Sequence, residues 1–198
     1  MNKTTIIAII FLLTMAVFPF LVDSAWLGIG ITFLVFAVVA FSYDIILGRA
    51  GIFNMGHAIF FGIGAYTTAI LNVHFGFEII ATVPFAIILP IIISILLAGP
   101  IIHLRWDYLL VATIGFNIIF EQVLKNNVFD VTGGPSGIFG IDVVRIFGYE
   151  LYSDTAIYYI AFGLLLITLF IIRNLDNSKY GRALYYINKN YKMINQLL

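Results

Sequence analysis

Gly48-Arg49-Ala50-Gly51-Ile52-Phe53-Asn54-Met55-Gly56-His57-Ala58-Ile59-Phe60-Phe61-Gly62-Ile63-Gly64-Ala65-Tyr66-Thr67-Thr68-Ala69-Ile70-Leu71 carries no charge after Arg49, yet it is studded with glycine and holds an asparagine and a histidine. Such a run reads as a membrane helix with an irregular start. Helical spacing puts Ala58, Gly62, Ala65 and Ala69 in one narrow stripe, and in lipid small residues let two backbones pack by close contact. Gly48, Gly51 and Gly56 precede the stripe. Each glycine costs a helix about 1 kcal/mol relative to alanine, so the segment is expected to enter the membrane bent or partly unwound, with Asn54 and His57 at that entrance.

The rest of the chain supports a bilayer setting. Of its 198 residues, 62% are hydrophobic and 10% charged, whereas soluble domains carry about a quarter charged residues. No cysteine occurs, which removes disulfides and thiol chemistry from consideration. The ten Lys and Arg residues are dispersed or terminal, so the basic, aromatic-interleaved patch that nucleic acid requires is missing.

In chain order, apolar runs predict helices near 5–22, 25–47, 51–72, 79–102, 107–124 and 155–172. The fold class expected is all-α and polytopic, with about six transmembrane helices and both ends cytoplasmic. The first run follows Met1-Asn2-Lys3 and is taken as a retained helix rather than a cleaved signal peptide, with Pro19 near its outer end. Asp44 falls close to the inner end of the second, where it can reach water or Arg49. The fourth contains fifteen Ile, Leu, Val and Phe residues, which favour insertion at roughly 0.3 to 0.6 kcal/mol each. Its Pro84, Pro90 and Pro100 are tolerable where neighbouring groups satisfy the freed carbonyls. Residues 125–154 form the one substantial loop, taken as periplasmic. Residues 1–172 make up the membrane domain and 173–198 a basic cytoplasmic tail. With that alternation Lys3, Arg49, Arg105, Arg173, Lys179, Arg182, Lys189 and Lys192 lie inside, and Lys125 and Arg145 outside. The positive-inside bias agrees with this polarity.

Chemistry-bearing motifs are sparse. There is no Gly-x-x-x-x-Gly-Lys-Ser/Thr phosphate cradle, no His-Glu-x-x-His and no Gly-x-Ser-x-Gly elbow, so neither ATP binding, a zinc hydrolase nor a serine hydrolase has a sequence basis. No catalytic residue, metal site or cofactor is assigned, and the chain is expected not to be an enzyme. Asn54 and His57, with Gly56, either contact a solute or fix helix packing, because polar groups at membrane depth face a cavity or one another. Gly62 and Tyr66 divide similarly between path lining and interface filling. Asn117 and Glu121, four residues apart, share a helix face at an outer vestibule or at headgroup level. Thr132-Gly133-Gly134-Pro135-Ser136-Gly137 has the composition of tight turns with positive φ.

The pattern Gly-x-Ala-Gly-x-x-x-x-Gly-His-Ala-x-x-Phe-x-x-Gly-Ala-Tyr over 48–66, followed in order by Thr132-Gly133-Gly134 and Gly181-Arg182-Ala183-Leu184, resembles the LivM-type permease subunits of branched-chain amino-acid ABC importers. The resemblance runs from about residue 30 to the last residue and covers only part of a usual family member, which continues with further helices; either the chain is a truncated or split gene product, or the remaining helices come from another polypeptide. It implies a bacterial or archaeal cell membrane, a homologous second permease subunit, two ATPase subunits and a periplasmic or lipid-anchored solute-binding protein. By resemblance Thr132, Gly133, Gly134 and Gly137 belong to the docking surface for the binding protein, with Asp130, Asp142, Glu150 and Asp154 making it acidic. Gly181, Arg182, Ala183 and Leu184 match the segment that couples to the ATPase. The family usually has acidic residues after that segment, whereas Asn188-Lys189-Asn190 stands here. The function expected is a permease subunit for branched-chain or related amino acids, urea and amides included. The alternatives are an ion-coupled secondary transporter, for which Asp44 is the candidate carboxylate, or a non-transporting fragment.

Overall fold

A computed structural model describes residues 3–52, 54–101, 106–146, 149–184 and 186. Six α-helices form: α1 Lys3–Val17, α2 Ser24–Asp44, α3 His57–Phe75, α4 Ile79–Ile101, α5 Trp106–Lys125 and α6 Asp154–Asn177. Apart from a two-residue antiparallel ladder, β1 Arg145–Ile146 with β2 Tyr149–Glu150, the regular structure is helical. Among the described residues, five stretches are long and apolar enough to cross a membrane: Ser24–Arg49, His57–Phe75, Ile79–Gly99, Tyr108–Lys125 and Asp154–Asn177. The chain is an all-α, multi-pass membrane protein. As a regular helix α1 has only 15 residues, short of the about 20 a span needs, because Pro19 turns the chain into a 3₁₀ segment at Phe18–Phe20. Expected as one of about six spans, it is thus not among those of spanning length.

Other boundaries moved for local reasons. α3 begins at His57 rather than near 51; the glycines before it are spent on a π turn at Ile45–Arg49 and on a left-handed Gly51 (φ 71°). α6 runs on to Asn177, so Arg173, expected to open the tail, lies inside a helix. The chain divides into two compact units, Met1–Ile45 with Leu151–Tyr186, and Ile46–Glu150 with the C-terminal residues.

The first unit packs α2 against α6. Leu27 and Leu34, two turns apart, meet Tyr158, Ala161 and Leu165, which follow i, i+3, i+7 spacing, and all five are buried. Gly30 makes the fit possible: a Cβ there would sit 2.9 Å from the Phe18 ring and 3.0 Å from that of Tyr158. These two rings stack at 5.9 Å. Pro19 lacks an N–H, so the Met15 carbonyl, its helical acceptor four residues back, loses its donor. The Tyr158 hydroxyl donates to that oxygen at 2.8 Å, and the Tyr159 hydroxyl donates to the Ala16 carbonyl at 2.9 Å. Two tyrosines on α6 thus satisfy the carbonyls at the end of α1, as a backbone in lipid requires.

The second unit packs α3 chiefly against α4 and only lightly against α5. Gly64 lies against α4, where a Cβ would come 3.2 Å from the Ala86 carbonyl; Pro90, four residues on, leaves that carbonyl without its helical donor. Gly62 receives the Phe120 ring of α5, 2.8 Å from a would-be Cβ. The expected small-residue stripe is therefore used only in part. Ala69 is buried, Ala58 and Ala65 are exposed, and it is Gly64, outside the stripe, that lies against the Ala86 carbonyl of α4. At its far end α3 stops at Gly76 (φ 68°), with the Gly76 and Phe77 N–H groups returning to the Asn72 and Leu71 carbonyls.

Candidate functional site

The broken start of α3 closes around hydrogen bonds made by few residues. Asn54 Oδ1 accepts the Gly56 N–H at 2.8 Å, an Asx turn that substitutes for a backbone turn. The Met55 N–H donates to Thr113 Oγ1 of α5 at 3.2 Å, and that hydroxyl donates in turn to the Leu110 carbonyl at 3.0 Å. From Met55–Thr113 to Gly62–Phe120 both helices advance seven residues, so α3 and α5 run parallel here. Between this start and the neighbouring helices lies a cavity of about 110 Å³ lined by Asn54, Gly56, Ile59 and Phe60, by Ser94, Leu97 and Ala98 of α4, and by Thr113 and Phe116 of α5. It is below the roughly 300 to 1,000 Å³ of small-molecule pockets, and Ser94 and Thr113 direct their hydroxyl hydrogens to helix carbonyls.

Of the residues expected at a path, Asn54 and Gly56 line this cavity. His57 is half-buried as the first residue of α3, and Tyr66 and Asn117 are half-buried on α3 and α5. Glu121, one turn past Asn117, is exposed and paired with Lys125. Thr113, Ser94 and Phe116 were missed; a threonine inside an apolar span was the available signal for the first.

The loop after α5 is built around Asn127, itself left-handed (φ 49°). Its Oδ1 accepts the N–H groups of Thr132 and Gly133, both at 2.9 Å, and the Thr132 hydroxyl at 3.1 Å; that hydroxyl also lies 2.9 Å from the Leu124 carbonyl. Gly133 (φ 71°) is so close to the Gly137 carbonyl that a Cβ would lie 2.0 Å from its oxygen. The loop is tied down on α3. Asn72, buried, accepts the Asp142 N–H at 2.8 Å and donates to the Asp142 carboxylate at 3.2 Å, while His74 meets the Val131 carbonyl at 3.2 Å. Of the acidic residues expected to face a partner, Asp130 accepts from Asn127, Asp142 from Asn72, and Glu150 pairs with Arg145 at 2.8 Å.

In the first unit, α6 hands over to a further helical stretch at 179–184 through Ser178. The Ser178 hydroxyl donates to the Leu175 carbonyl at 2.7 Å and accepts the Gly181 N–H at 3.1 Å, the bond of a helix N-cap. Gly181 is pressed against the end of α6, and a Cβ would fall 2.2 Å from the Leu175 carbonyl oxygen. Arg182, Ala183 and Leu184 follow on this turn; Asn188-Lys189-Asn190 lie outside the described residues.

The family described as the branched-chain amino acid transport system, permease component, matches residues 25–196. The chain belongs to this permease family. Two members, high-affinity branched-chain amino acid transport system permease proteins LivM of Escherichia coli K12 and of Salmonella typhimurium LT2, are 31% and 30% identical to it over 87% of its length. It spans about half the length of these curated relatives, 46% in each case. No solved structure matches. The family is one of transport permeases, not of enzymes, and the match takes in α2 to α6 together with the Asn127 loop and the Ser178 turn.

Proposed function

We propose that the chain is a permease subunit of an ATP-binding-cassette importer for branched-chain or related amino acids, set in a bacterial or archaeal cell membrane. The observation that carries this is the family match over residues 25–196, which takes in all five stretches of spanning length save Ser24. The broken start of α3 is the part of the path this chain supplies, with Asn54, Gly56 and Thr113 around a polar-edged cavity that widens or closes as α4 and α5 shift. His57, Gly62, Tyr66, Asn117 and Glu121 are its flanking and packing residues. The Asn127 loop, with Thr132, Gly133, Gly134 and Gly137, offers a rigid outer surface to a solute-binding protein. On the inner side Gly181, Arg182, Ala183 and Leu184 form the coupling turn. Partners are a homologous second permease, two ATPase subunits and a periplasmic or lipid-anchored binding protein. ATP binding and hydrolysis there would move the coupling turn and switch the cavity by a rigid-body shift of helices.

The test is reconstitution in proteoliposomes with the ATPase, second-permease and binding-protein products of neighbouring genes. Uptake of labelled leucine that needs ATP inside and the binding protein outside, and that survives a protonophore, is expected. Uptake that a protonophore abolishes while ATP persists would instead make the chain an ion-coupled carrier.

A further inference from the structure

The loop that follows α5 leaves several apolar side chains open, and Phe129 and Phe139 are the most exposed of them. Phe129 is 89% and Phe139 76% exposed. Phe129 moreover holds φ 66°, a left-handed conformation that side chains other than glycine avoid. Such strain persists where the surroundings fix it, as the Asn127 hub does on both sides of Phe129, and it marks residues positioned to meet something. The polar groups around the rings are taken up internally: Glu121 by Lys125, Asp130 by Asn127, Asp142 by Asn72, Glu150 by Arg145. An electrostatically matched protein surface would find few unmatched charges here.

Depth decides the occupant. Phe129 lies four residues beyond the end of α5, in a segment whose base is closed by Thr132 onto Leu124 and by Val131 onto His74. Phe139 lies three residues before Asp142, which is fastened to Asn72 at the end of α3. Three residues reach at most about 10 Å, and the headgroup zone adds roughly 5 to 8 Å on each side of the hydrocarbon. Both rings are therefore held within reach of the headgroup and acyl boundary, into which exposed Trp, Phe and Leu side chains of interfacial segments bury. We propose that Phe129 and Phe139 insert into the lipid interface and moor the Asn127 loop to the bilayer surface, fixing its height above α3 and α5. This rests on α3 and α5 spanning the membrane, and it is independent of what the permease carries.

The experiment replaces the two native tryptophans, Trp26→Phe and Trp106→Phe, and introduces Phe129→Trp or Phe139→Trp in the full chain in lipid nanodiscs. Each new tryptophan is expected to emit in the blue, and its emission to be quenched when the lipids carry bromine near the headgroup end of their acyl chains. Red-shifted emission that brominated lipid does not quench overturns the proposal. So does a blue shift that appears only when solute-binding protein is added, which would make the rings a protein-docking site. Should these variants fail to assemble, a nitroxide at Phe129→Cys or Phe139→Cys, in a chain without native cysteine, reads the same depth. Collision with oxygen exceeding that with a water-soluble nickel chelate supports mooring, and the reverse refutes it.

Discussion

Removing the Tyr158 hydroxyl with Tyr158→Phe leaves the ring, its stack on Phe18 and the packing against Gly30 in place. It deletes one donor, the group 2.8 Å from the Met15 carbonyl. Because Pro19 has no N–H to offer, that carbonyl then has neither its helical donor nor the tyrosine's. Hydrogen bonds between membrane helices are worth about 0.6 to 2 kcal/mol, and an orphaned buried acceptor costs about 1 to 3 kcal/mol, so a loss of about 1.5 kcal/mol is expected. Pro19→Ala restores a backbone N–H at the right position. In that background Tyr158→Phe should cost under about 0.5 kcal/mol, giving a coupling near 1 kcal/mol between residues joined only through one carbonyl. Reversible unfolding in mixed micelles with increasing sodium dodecyl sulfate, run on all four members of the cycle, measures it. Equal costs of Tyr158→Phe with and without Pro19 would show that the tyrosine does not replace the proline's missing bond.

Gly181→Ala should displace the helical stretch after Ser178, since its methyl would need the Leu175 carbonyl to retreat by more than an ångström from 2.2 Å. The distance between spin labels on α6 and on residues 179–184 should lengthen while assembly in the membrane persists. Asn127→Ala removes three acceptor contacts at once and should cost about 1 to 3 kcal/mol locally, seen as faster proteolysis between α5 and α6 and as loss of amide-exchange protection at Thr132 and Gly133. Gly133→Ala should disrupt that loop far more than Gly140→Ala. Both sites have positive φ, but a Cβ at Gly133 would lie 2.0 Å from the Gly137 oxygen and one at Gly140 would meet nothing within 4 Å; amide exchange across 127–137 compares them.

The spans were legible because length and apolarity are summed over many residues, and the irregular start of α3 because each glycine there works against a helix. How far the irregularity reached was not legible: helix α3 waits until His57, behind a left-handed Gly51 and an Asx turn at Asn54, and that turn is supported by Thr113, far away in sequence. The small-residue stripe failed in detail because spacing tells which residues share a face, whereas the positions of Phe120 and Pro90 decide which face is used. Asn72 looked like the polar end of a span; its partner Asp142 is 70 residues on, and no local pattern encodes that distance. The family motif marked Gly181, yet its reason, the carbonyl of Leu175, appears only once α6 is seen to continue past residue 172. The acidic surface expected around Thr132–Gly137 was drawn from charges alone, and three of its carboxylates already have polar partners.

Ser178 has a mechanical corollary. One hydroxyl both shuts α6 and opens the next stretch, with Gly181 wedged against Leu175, so the corner has no slack. A twist applied to residues 179–184 is passed up α6 like torque through a crank, arriving at the Leu165 and Tyr158 layers with its direction preserved. Lengthening the corner by a few flexible residues would let the crank spin idle, so that a twist at 179–184 no longer reached those layers while each end stayed intact.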